Sequence, residues 1–308
     1  MSRPASFAVV GLGVISRFYL AAIEAAPNAR LAAVCDLDEA NLAPWRGRVP
    51  CYRDHRELLA RERPDGVIVT VPNDAHAGIG HDVLAAGRAL CVEKPLAITT
   101  ADARRLTRLA ETSGTPLLTA FHRRYNSHVR ALAELLPGRA PVASLTVRYF
   151  ERIEEHVGRD RWYLDPTRCG GGCVADNGPN AFDLVRLLLG ETAVTGARIE
   201  RDATGTDRRA SVGLCSVAGV SAQVELDWSY DGELKEVEVV LTDGSVHRAD
   251  LLAGYQGFKE SLRHEYAGIL DDFTALLTDP AAKRAPDGGL PALELVEAAY
   301  RHELAVSR

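Results

Sequence analysis

Residues 6–16 read SFAVVGLGVIS, the apolar run of a β-strand followed at once by two glycines and a helical pattern. Gly11 permits a tight turn after the strand, and Gly13 lets a ligand approach the backbone closely. The helix that starts here points its first N–H groups and the positive end of its dipole at the same spot, which favours a phosphate. The segment therefore predicts a pyrophosphate-binding turn, with Ile15 and Ser16 opening the helix.

The second strand ends in an acidic residue, Asp36, twenty residues after Ser16. A carboxylate at this position accepts hydrogen bonds from the ribose hydroxyls of NAD and repels the 2′-phosphate of NADP. We therefore expect NAD as the cofactor, with NADP less favoured. In the alternative, the glycines form an ordinary strand–helix turn and Asp36 only caps the next helix, which leaves the spacing of the two features unexplained.

The order of predicted strands and helices divides the chain into two parts. The first 120 residues alternate β-branched apolar runs with helical patterns, which is typical of a parallel sheet with crossover helices. Beyond them, most apolar runs are strand-like and are separated by turns such as Asp231-Gly232 and Asp243-Gly244. We predict an α/β protein with a doubly wound, Rossmann-type cofactor domain in residues 1–120. For residues 121–308 we predict an α+β domain with an open, mostly antiparallel sheet, whose last helix is free to pack back on the first domain.

The predicted elements follow from these patterns. The predicted strands are Ser6–Val10, Arg30–Cys35, Gly66–Val71, Ala89–Val92, Pro116–Thr119, Val142–Phe150, Val194–Glu200, Ala210–Val217, Ser221–Tyr230, Glu233–Leu241 and Ser245–Ala249. The predicted helices are Val14–Ala25, Glu39–Arg46, His55–Arg61, His76–Ala86, Thr100–Ser113, Ser127–Leu136, Asn180–Leu189, Gly257–Leu277 and Leu290–Val306.

Composition excludes several classes of partner. The 36 Lys and Arg residues against 42 Asp and Glu residues give a net charge of −6, and no run of like charge stands out, so we expect no nucleic-acid partner. No apolar stretch approaches the length of a membrane span, and the N-terminal one is too short for a signal peptide. Six cysteines at unrelated spacings indicate reduced thiols in the cytoplasm. Cys169 and Cys173, which flank three glycines, are expected to be flexible-loop thiols, and no metal site is expected.

Two further strands end in polar segments at the same edge of the predicted sheet. One reads Thr70-Val71-Pro72 and leads to His76, which by itself is typical of a helix start; the other reads Glu93-Lys94-Pro95. An ammonium group in this place polarises a hydroxyl or carbonyl and, when desolvated, exchanges its proton. Lysine occurs only at positions 94, 235, 259 and 283, so its presence at this strand end favours a functional role.

Together these features resemble the Gfo/Idh/MocA oxidoreductases, the family of glucose–fructose oxidoreductase and inositol dehydrogenase. The resemblance rests on Gly11–Ser16, Thr70-Val71-Pro72 with His76, Glu93-Lys94-Pro95, Gly170-Gly171-Gly172 followed by Asp176, Gly178 and Asp183, and the closing segment Leu293–Tyr300. It implies a Rossmann domain, a second domain with an open sheet, and a substrate cleft between them. It also implies hydride transfer between nicotinamide and a secondary alcohol or ketone of a sugar, cyclitol or sugar-derived metabolite.

The resemblance also implies roles for individual residues. Lys94 is expected to touch both the substrate and the nicotinamide end of the cofactor, and Asp176 to hold substrate hydroxyls. On the cofactor side the resemblance adds Trp162, a weaker match, to the set Gly11, Gly13, Ile15, Ser16, Asp36, Thr70, Pro72, His76, Glu93 and Lys94. Apart from the resemblance, the position of Arg123 and Tyr125 at the crossover between the predicted domains leads us to expect substrate contacts from them, whereas Arg124, at a helix start, is expected to be solvated. The resemblance further implies that residues 121–308 serve substrate binding and oligomerisation, and that the protein is a homodimer or homotetramer that pairs through the open sheet of this domain.

One position departs from the family pattern Asp-x-Gly-x-His-x-x-Asp. The segment Asp176–Asp183 carries Asn180 where the acid/base histidine of the family stands. An amide orients a hydroxyl but does not transfer a proton near neutral pH. Three explanations stay open: Lys94 moves the proton alone, or Tyr125, His122 or His156 has taken the role, or catalysis is lost or changed. The last would leave a dinucleotide-sensing regulator or a redox-assisted lyase or glycosidase. The catalytic candidates are Lys94, Asp176 and Asn180, the last two also as substrate contacts.

Overall fold

The computed structural model describes residues 3–157, 161–278 and 289–303, which group into two units. The first unit contains the chain up to Ala120 and the part from Tyr266 to Leu290. The second contains Phe121–Glu265 and the part from Pro291 onward. Within the described residues, no helix combines the length and the apolar character that a membrane span requires. The division of cofactor and substrate binding between the units stays a prediction.

The first unit is built on a fully parallel sheet of six strands. These are β1 (Ala5–Val10), β2 (Ala29–Cys35), β3 (Cys51–Tyr52), β4 (Gly66–Val69), β5 (Ala89–Glu93) and β6 (Leu117–Ala120). Their order is β3-β2-β1-β4-β5-β6, so the chain reverses direction across the sheet between β1 and β4. Ligands bind at the carboxyl edge beside such a reversal. The sequence missed β3, which is too short to show a period.

Three of the five helices of this unit begin at side-chain caps, and the helix after the glycine turn does not. The five are α1 (Ser16–Ala25), α2 (Glu39–Leu42), α3 (His55–Arg61), α4 (Asn73–Ala85) and α5 (Thr100–Ser113). Asp38, Asp54 and Thr99 accept hydrogen bonds from the first turns of α2, α3 and α5. No side chain caps α1 among the described residues, so its first N–H groups remain available to an anion.

The second unit carries a mixed sheet of six strands. These are β7 (Val142–Arg152), β8 (Thr192–Arg201), β9 (Asp207–Ser216), β10 (Ser221–Asp227), β11 (Ser229–Leu241) and β12 (Val246–Asp250). The order is β12-β11-β7-β10-β9-β8; β7 and β10 run parallel, and the other neighbours are antiparallel. Buried residues alternate with more exposed ones along most of these strands, which is typical of a sheet with one covered face.

The predicted turn at Asp231-Gly232 is wrong. Both residues lie inside β11, where the register against β7 shifts between Ser229 and Glu233. Gly232 has a φ of 118°, and this conformation allows the strand to bulge without ending. Because β10 and β11 pair with opposite sides of β7, they do not form the hairpin that the turn signal suggested.

The helices of the second unit include short turns that the sequence did not reveal. They are α6 (Ser127–Leu135), α7 (Ile153–Val157), α8 (Pro166–Cys169), α9 (Cys173–Asp176) and α10 (Gly178–Leu189), followed by α11 (Phe258–Thr278) and α12 (Leu290–Arg301). The residues of α11 belong to the second unit up to Glu265 and to the first from Tyr266. The predicted final helix ran to position 306, and residues 304–308 lie outside the described residues.

Candidate active site

The glycine turn after β1 has the geometry of a phosphate cradle. Gly11 has a φ of 90°, and a Cβ on it would lie 2.7 Å from the carbonyl oxygen of Thr70, so only glycine fits. A Cβ on Gly13 would meet nothing within 4 Å, which leaves the backbone there open to a ligand. Ser16 donates to the carbonyl of Gly13 at 2.8 Å, and Ile15 is the N-cap residue of α1. The turn therefore suits a pyrophosphate.

Asp36 joins the end of β2 to this turn. One carboxylate oxygen accepts from the backbone N–H of Leu12 at 2.6 Å. The other accepts from the N–H of Asp38 at 2.8 Å and from Asn41 at 3.2 Å. A carboxylate offers about four lone-pair sites, so the half-buried group still has acceptor capacity for ribose hydroxyls. Its negative charge disfavours a phosphate in the same place.

The end of β4 supports the glycine turn. Thr70 donates to the carbonyl oxygen of Gly11 at 2.6 Å, which fixes the two loops against each other. Pro72 is the residue before α4 and carries no cap hydrogen bond. Both residues are half-buried at the carboxyl edge of the sheet. Their contact with a cofactor stays a prediction.

His76 fixes the turn that carries Lys94. Its ring is fully buried, with Nδ1 at 2.7 Å from the carbonyl oxygen of Pro95 and Nε2 at 2.9 Å from that of Val71. Burial lowers the pKa of His76 more than its carbonyl partners raise it. Since both ring nitrogens face backbone carbonyls, His76 positions the Lys94 turn, and a direct contact between its ring nitrogens and the cofactor is not supported.

Glu93 is a buried carboxyl group at the end of β5, next to Lys94. The hydroxyl of Tyr19 donates to it at 2.8 Å. Burial raises the pKa of Glu93 to about 7, because its hydroxyl partners and the neighbouring Lys94 compensate only in part for desolvation. Lys94 itself is half-buried, and its bond to Pro95 is cis. Tyr19 was not predicted as part of the site, because an aromatic residue on the buried face of a helix is normally a core residue.

The triple-glycine segment of the second unit is held by Asp207. Its two carboxylate oxygens accept from the N–H groups of Gly172 and Val174, each at 2.8 Å, and from the hydroxyl of Tyr300 at 3.0 Å. A Cβ on Gly172 would lie 2.1 Å from the carbonyl oxygen of Asp207. These contacts fix the start of α9, the short helix that ends in the buried Asp176. The sequence did not predict the part played by Asp207.

Asn180, in the first turn of α10, belongs to a buried chain of polar side chains. Its Nδ2 lies 3.1 Å from Nε2 of His122, whose Nδ1 lies 2.6 Å from Oε2 of Glu265. Oε1 of Glu265 accepts from Arg123 at 2.9 Å and from Asn126 at 2.7 Å. Burial raises the pKa of Glu265, but Arg123 and His122 outweigh it and bring that pKa to about 2. Glu265 is therefore an anion.

The three residues after His122 are placed differently from their expected roles. Arg123 is fully buried in its ion pair with Glu265, which argues against the substrate contact predicted for it. The prediction that Arg124 is solvated is wrong, because its guanidinium makes two hydrogen bonds to Asp183 of α10. Tyr125 is buried with the guanidinium of Arg130 5.0 Å from its ring centroid, and its substrate contact stays a prediction.

His156 lies in a separate cluster of charged groups. Ligand atoms of Glu151, His156 and Glu233 all lie within 4.8 Å of one another. The buried ammonium of Lys235, however, lies 2.8 Å from Glu151 and 2.5 Å from Glu233. Burial raises the pKa of Glu151, and the stronger effect of Lys235 brings it to about 2. Lys235 therefore balances both carboxylates, and a cation would have to displace it.

Trp162 and the loop cysteines complete the predicted set. Trp162 stacks on Tyr163 with ring centroids 3.8 Å apart, and its cofactor contact stays a prediction. The expectation of flexible-loop thiols is wrong, because Cys169 and Cys173 are fully buried in α8 and α9. Burial raises the pKa of Cys173 well above its usual value. All six cysteines of the chain are free thiols.

Two family models match the chain in the same places as its two sheets. One, described as an oxidoreductase family with an NAD-binding Rossmann fold, covers residues 5–121. The other, the GFO/IDH/MocA C-terminal domain, covers residues 141–247. The chain belongs to the Gfo/Idh/MocA oxidoreductase family. This confirms the predicted family and, with the two sheets, the predicted fold class.

Two relatives and one solved structure match between 81% and 98% of this chain. The inositol 2-dehydrogenase of Rhizobium meliloti is 27% identical, covering 96% of both chains. The D-apiose dehydrogenase of Paraburkholderia graminis is 28% identical over 81% of this chain and 68% of its own. Among solved structures, GenD2 from gentamicin A biosynthesis in complex with NAD superimposes with a TM-score of 0.87 at 25% identity, covering 98% of this chain and 95% of its own.

Proposed function

We propose that this protein is an NAD(P)-dependent oxidoreductase that transfers a hydride between nicotinamide and a secondary alcohol or ketone of a sugar, cyclitol or sugar-derived metabolite. The observation that carries the proposal is the placement of Lys94 at the end of β5. The same sheet edge carries the glycine turn and Asp36. The family membership and the dehydrogenases among the relatives support the same reaction class.

NAD is the proposed cofactor, in preference to NADP. The support is the carboxylate of Asp36, which is anchored to the glycine turn and retains acceptor capacity toward a ribose diol. When bound, the nicotinamide supplies or accepts the hydride. Gly11, Gly13 and the uncapped start of α1 would hold the pyrophosphate.

The chain's own residues would orient and polarise the substrate. We assign to the ammonium of Lys94 a hydrogen bond to the oxygen that is oxidised or reduced, and to the carboxylate of Asp176 a hydrogen bond to a neighbouring hydroxyl. An ammonium stabilises the negative charge that develops on that oxygen. His76 supports the turn of Lys94 through its contact with the carbonyl of Pro95, and Glu93 precedes Lys94 at the end of β5.

The test is turnover on a panel of alcohols. NADH formation would be followed with NAD and each of myo-inositol, D-xylose and UDP-glucose, for the unmodified protein and for Lys94→Ala. We expect one of the three classes to give turnover and Lys94→Ala to lower it by about 10²- to 10⁴-fold. Lys259→Ala is the matched control, because Lys259 is exposed on α11. Full turnover in Lys94→Ala would contradict the assignment.

A second candidate is a regulator that senses the dinucleotide, and the absence of an imidazole at position 180 favours it. Such a protein binds NADH and turns over none of the alcohols. The panel therefore separates the two candidates once NADH binding has been measured.

We also propose that the protein is a cytoplasmic homodimer or homotetramer. Support for the compartment comes from the six free thiols. Support for the oligomer comes from the less buried face of the second sheet, where Phe150 and Leu234 lie beside charged residues. Sedimentation should give two or four times the single-chain mass of 33.3 kDa, and a species of one chain mass would contradict this.

A further inference from the structure

The two ends of the Asn180 amide are satisfied unequally. Asn180 lies in the first turn of α10 and is 2% exposed. Its Nδ2 lies 3.1 Å from Nε2 of His122, whereas its Oδ1 is buried and has no hydrogen-bond partner among the residues that the structure describes. Because buried acceptors in folded proteins are nearly always paired, this oxygen indicates a donor that comes from a ligand.

The charges behind His122 decide which way the amide of Asn180 turns. Glu265 is an anion that can only accept, so Nδ1 of His122 donates in their 2.6 Å contact. Arg123 already balances this anion at 2.9 Å, so an imidazolium at His122 would bury an uncompensated positive charge. The ring is therefore neutral, and the lone pair on its Nε2 accepts from Nδ2 of Asn180. With that lone pair occupied, His122 holds the amide in place.

This orientation leaves position 180 with one chemical capability toward a ligand. An amide oxygen accepts hydrogen bonds and cannot donate, and Nδ2 of Asn180 is already engaged. The hydroxyl groups of a sugar or cyclitol are donors that satisfy such an acceptor. The oxygen that is oxidised loses its proton during the reaction, and an amide does not take up that proton. The hydroxyl that matches Oδ1 is therefore one that remains a hydroxyl throughout.

We propose that Asn180 is a specificity residue of this oxidoreductase, and that its Oδ1 accepts a hydrogen bond from one non-reacting hydroxyl of the sugar or cyclitol substrate. The inference rests on the proposed function and adds a requirement on the substrate, an intact O–H at the position that faces Asn180. His122, itself oriented by Glu265, is the positioning residue that keeps Oδ1 toward the ligand. No proton is transferred at position 180.

The first test compares substrate analogues on the unmodified protein. For the alcohol that the panel identifies, each non-reacting hydroxyl is replaced in turn by hydrogen or by fluorine, which cannot donate. We expect one position at which both replacements lower kcat/KM by about 10- to 100-fold, because each leaves the buried acceptor unpaired. If fluorine restores full kcat/KM wherever hydrogen lowers it, the site contains a donor in place of an acceptor, and the proposal is overturned.

Substitution of Asn180 assigns the loss to this residue. Asn180→Leu is similar in shape and lacks the acceptor, so the loss caused by the deoxy analogue should shrink to about threefold or less. Asn180→Asp keeps an acceptor and should keep the loss, and it covers the case in which the leucine variant does not fold. Asn28→Leu, at an exposed position, is the matched control. An undiminished loss in Asn180→Leu, or its disappearance in Asn180→Asp, would overturn the proposal.

The role of His122 has a readout that a purely structural role would not move. In His122→Ala the amide of Asn180 can turn and donate to fluorine, so the fluorine analogue should gain at least about threefold in kcat/KM over the deoxy analogue. Without any substrate, ¹⁵N NMR of histidine-labelled protein should show a neutral His122 with its proton on Nδ1. An imidazolium or an Nε2–H tautomer would reverse the amide and contradict the proposal.

Failure of this inference and failure of the proposed function give different results. If the protein turns over none of the alcohols, myo-inositol and its deoxy and fluorine analogues are titrated calorimetrically against the NADH complex. Binding of myo-inositol with the expected losses for the analogues would support the role of Asn180 although the proposed reaction fails. Absence of binding would overturn both, and turnover with equal kcat/KM for all analogues would overturn the role of Asn180 alone.

Discussion

Three buried glutamates differ in charge because they have different neighbours. Glu93 has hydroxyl partners, and burial raises its pKa to about 7. Glu151 is paired with Lys235 and Glu265 with Arg123, and in both cases these pairs overcome burial and bring the pKa to about 2. Near neutral pH, Glu93 therefore titrates, whereas the other two remain anions.

Titration of Glu93 should make stability depend on pH. Its pKa in the folded chain, about 7, exceeds its ordinary value of 4.5, so the folded state binds the proton more tightly. The free energy of unfolding should therefore fall between pH 4.5 and pH 7 by up to about 3 kcal/mol from this group. In Glu93→Gln that contribution should vanish. Denaturant titrations at pH 5 and pH 8 measure this difference in the free energy of unfolding. Glu111→Gln, at an exposed position, is the control and should keep the difference. The same difference in Glu93→Gln as in the unmodified protein would contradict the prediction.

Loss of Arg123 should leave the buried carboxylate of Glu265 without its ion-pair partner. Arg123→Leu leaves the anion Glu265 without its cation, and we expect a loss of about 3–5 kcal/mol in the free energy of unfolding. The matched control is Arg209→Leu, since Arg209 pairs with Asp227 at an exposed position and should cost no more than about 1 kcal/mol. Denaturant unfolding measures both, and equal losses would show that Arg123 is not a structural cation.

At the scale of elements, the sequence predicted the long periodic segments and missed the short ones. The strands of the first sheet are predominantly apolar, so β1, β4 and β5 were predicted to within about two residues. The single-turn helices α8 and α9 have no period to detect. Contacts from distant residues such as Asp207 fix them, and local sequence does not record such contacts.

The segment between α8 and α9 should not tolerate a side chain at position 172. Gly172→Ala places a Cβ within 2.1 Å of the Asp207 carbonyl oxygen, and we expect it to destabilise the protein by about 1–3 kcal/mol. Gly196→Ala is the matched control, because a Cβ there meets nothing within 4 Å, and it should change stability by less than about 0.5 kcal/mol. Thermal unfolding compares the two, and a neutral Gly172→Ala would contradict the packing described here.

At the scale of the whole molecule, the glycine turn was predictable from the sequence, and the buried hydrogen-bonded chain of Asn180, His122 and Glu265 was only partly so. Gly11 and Asp36 follow a local pattern with a known spacing. His122 was one of three alternatives to an imidazole at position 180. Its partner Glu265 lies 143 residues further along the chain, a pairing that only the fold brings together.

The central claim is that the glycine turn and Asp36 bind NAD, and calorimetric titration with NADH and NADPH tests it most directly. We expect NADH to bind at least about tenfold more tightly than NADPH, and this preference to be lost in Asp36→Ala. Asp38→Ala, which removes the neighbouring carboxylate that caps α2, should keep the preference. Tighter binding of NADPH, or no binding of either dinucleotide, would contradict the account.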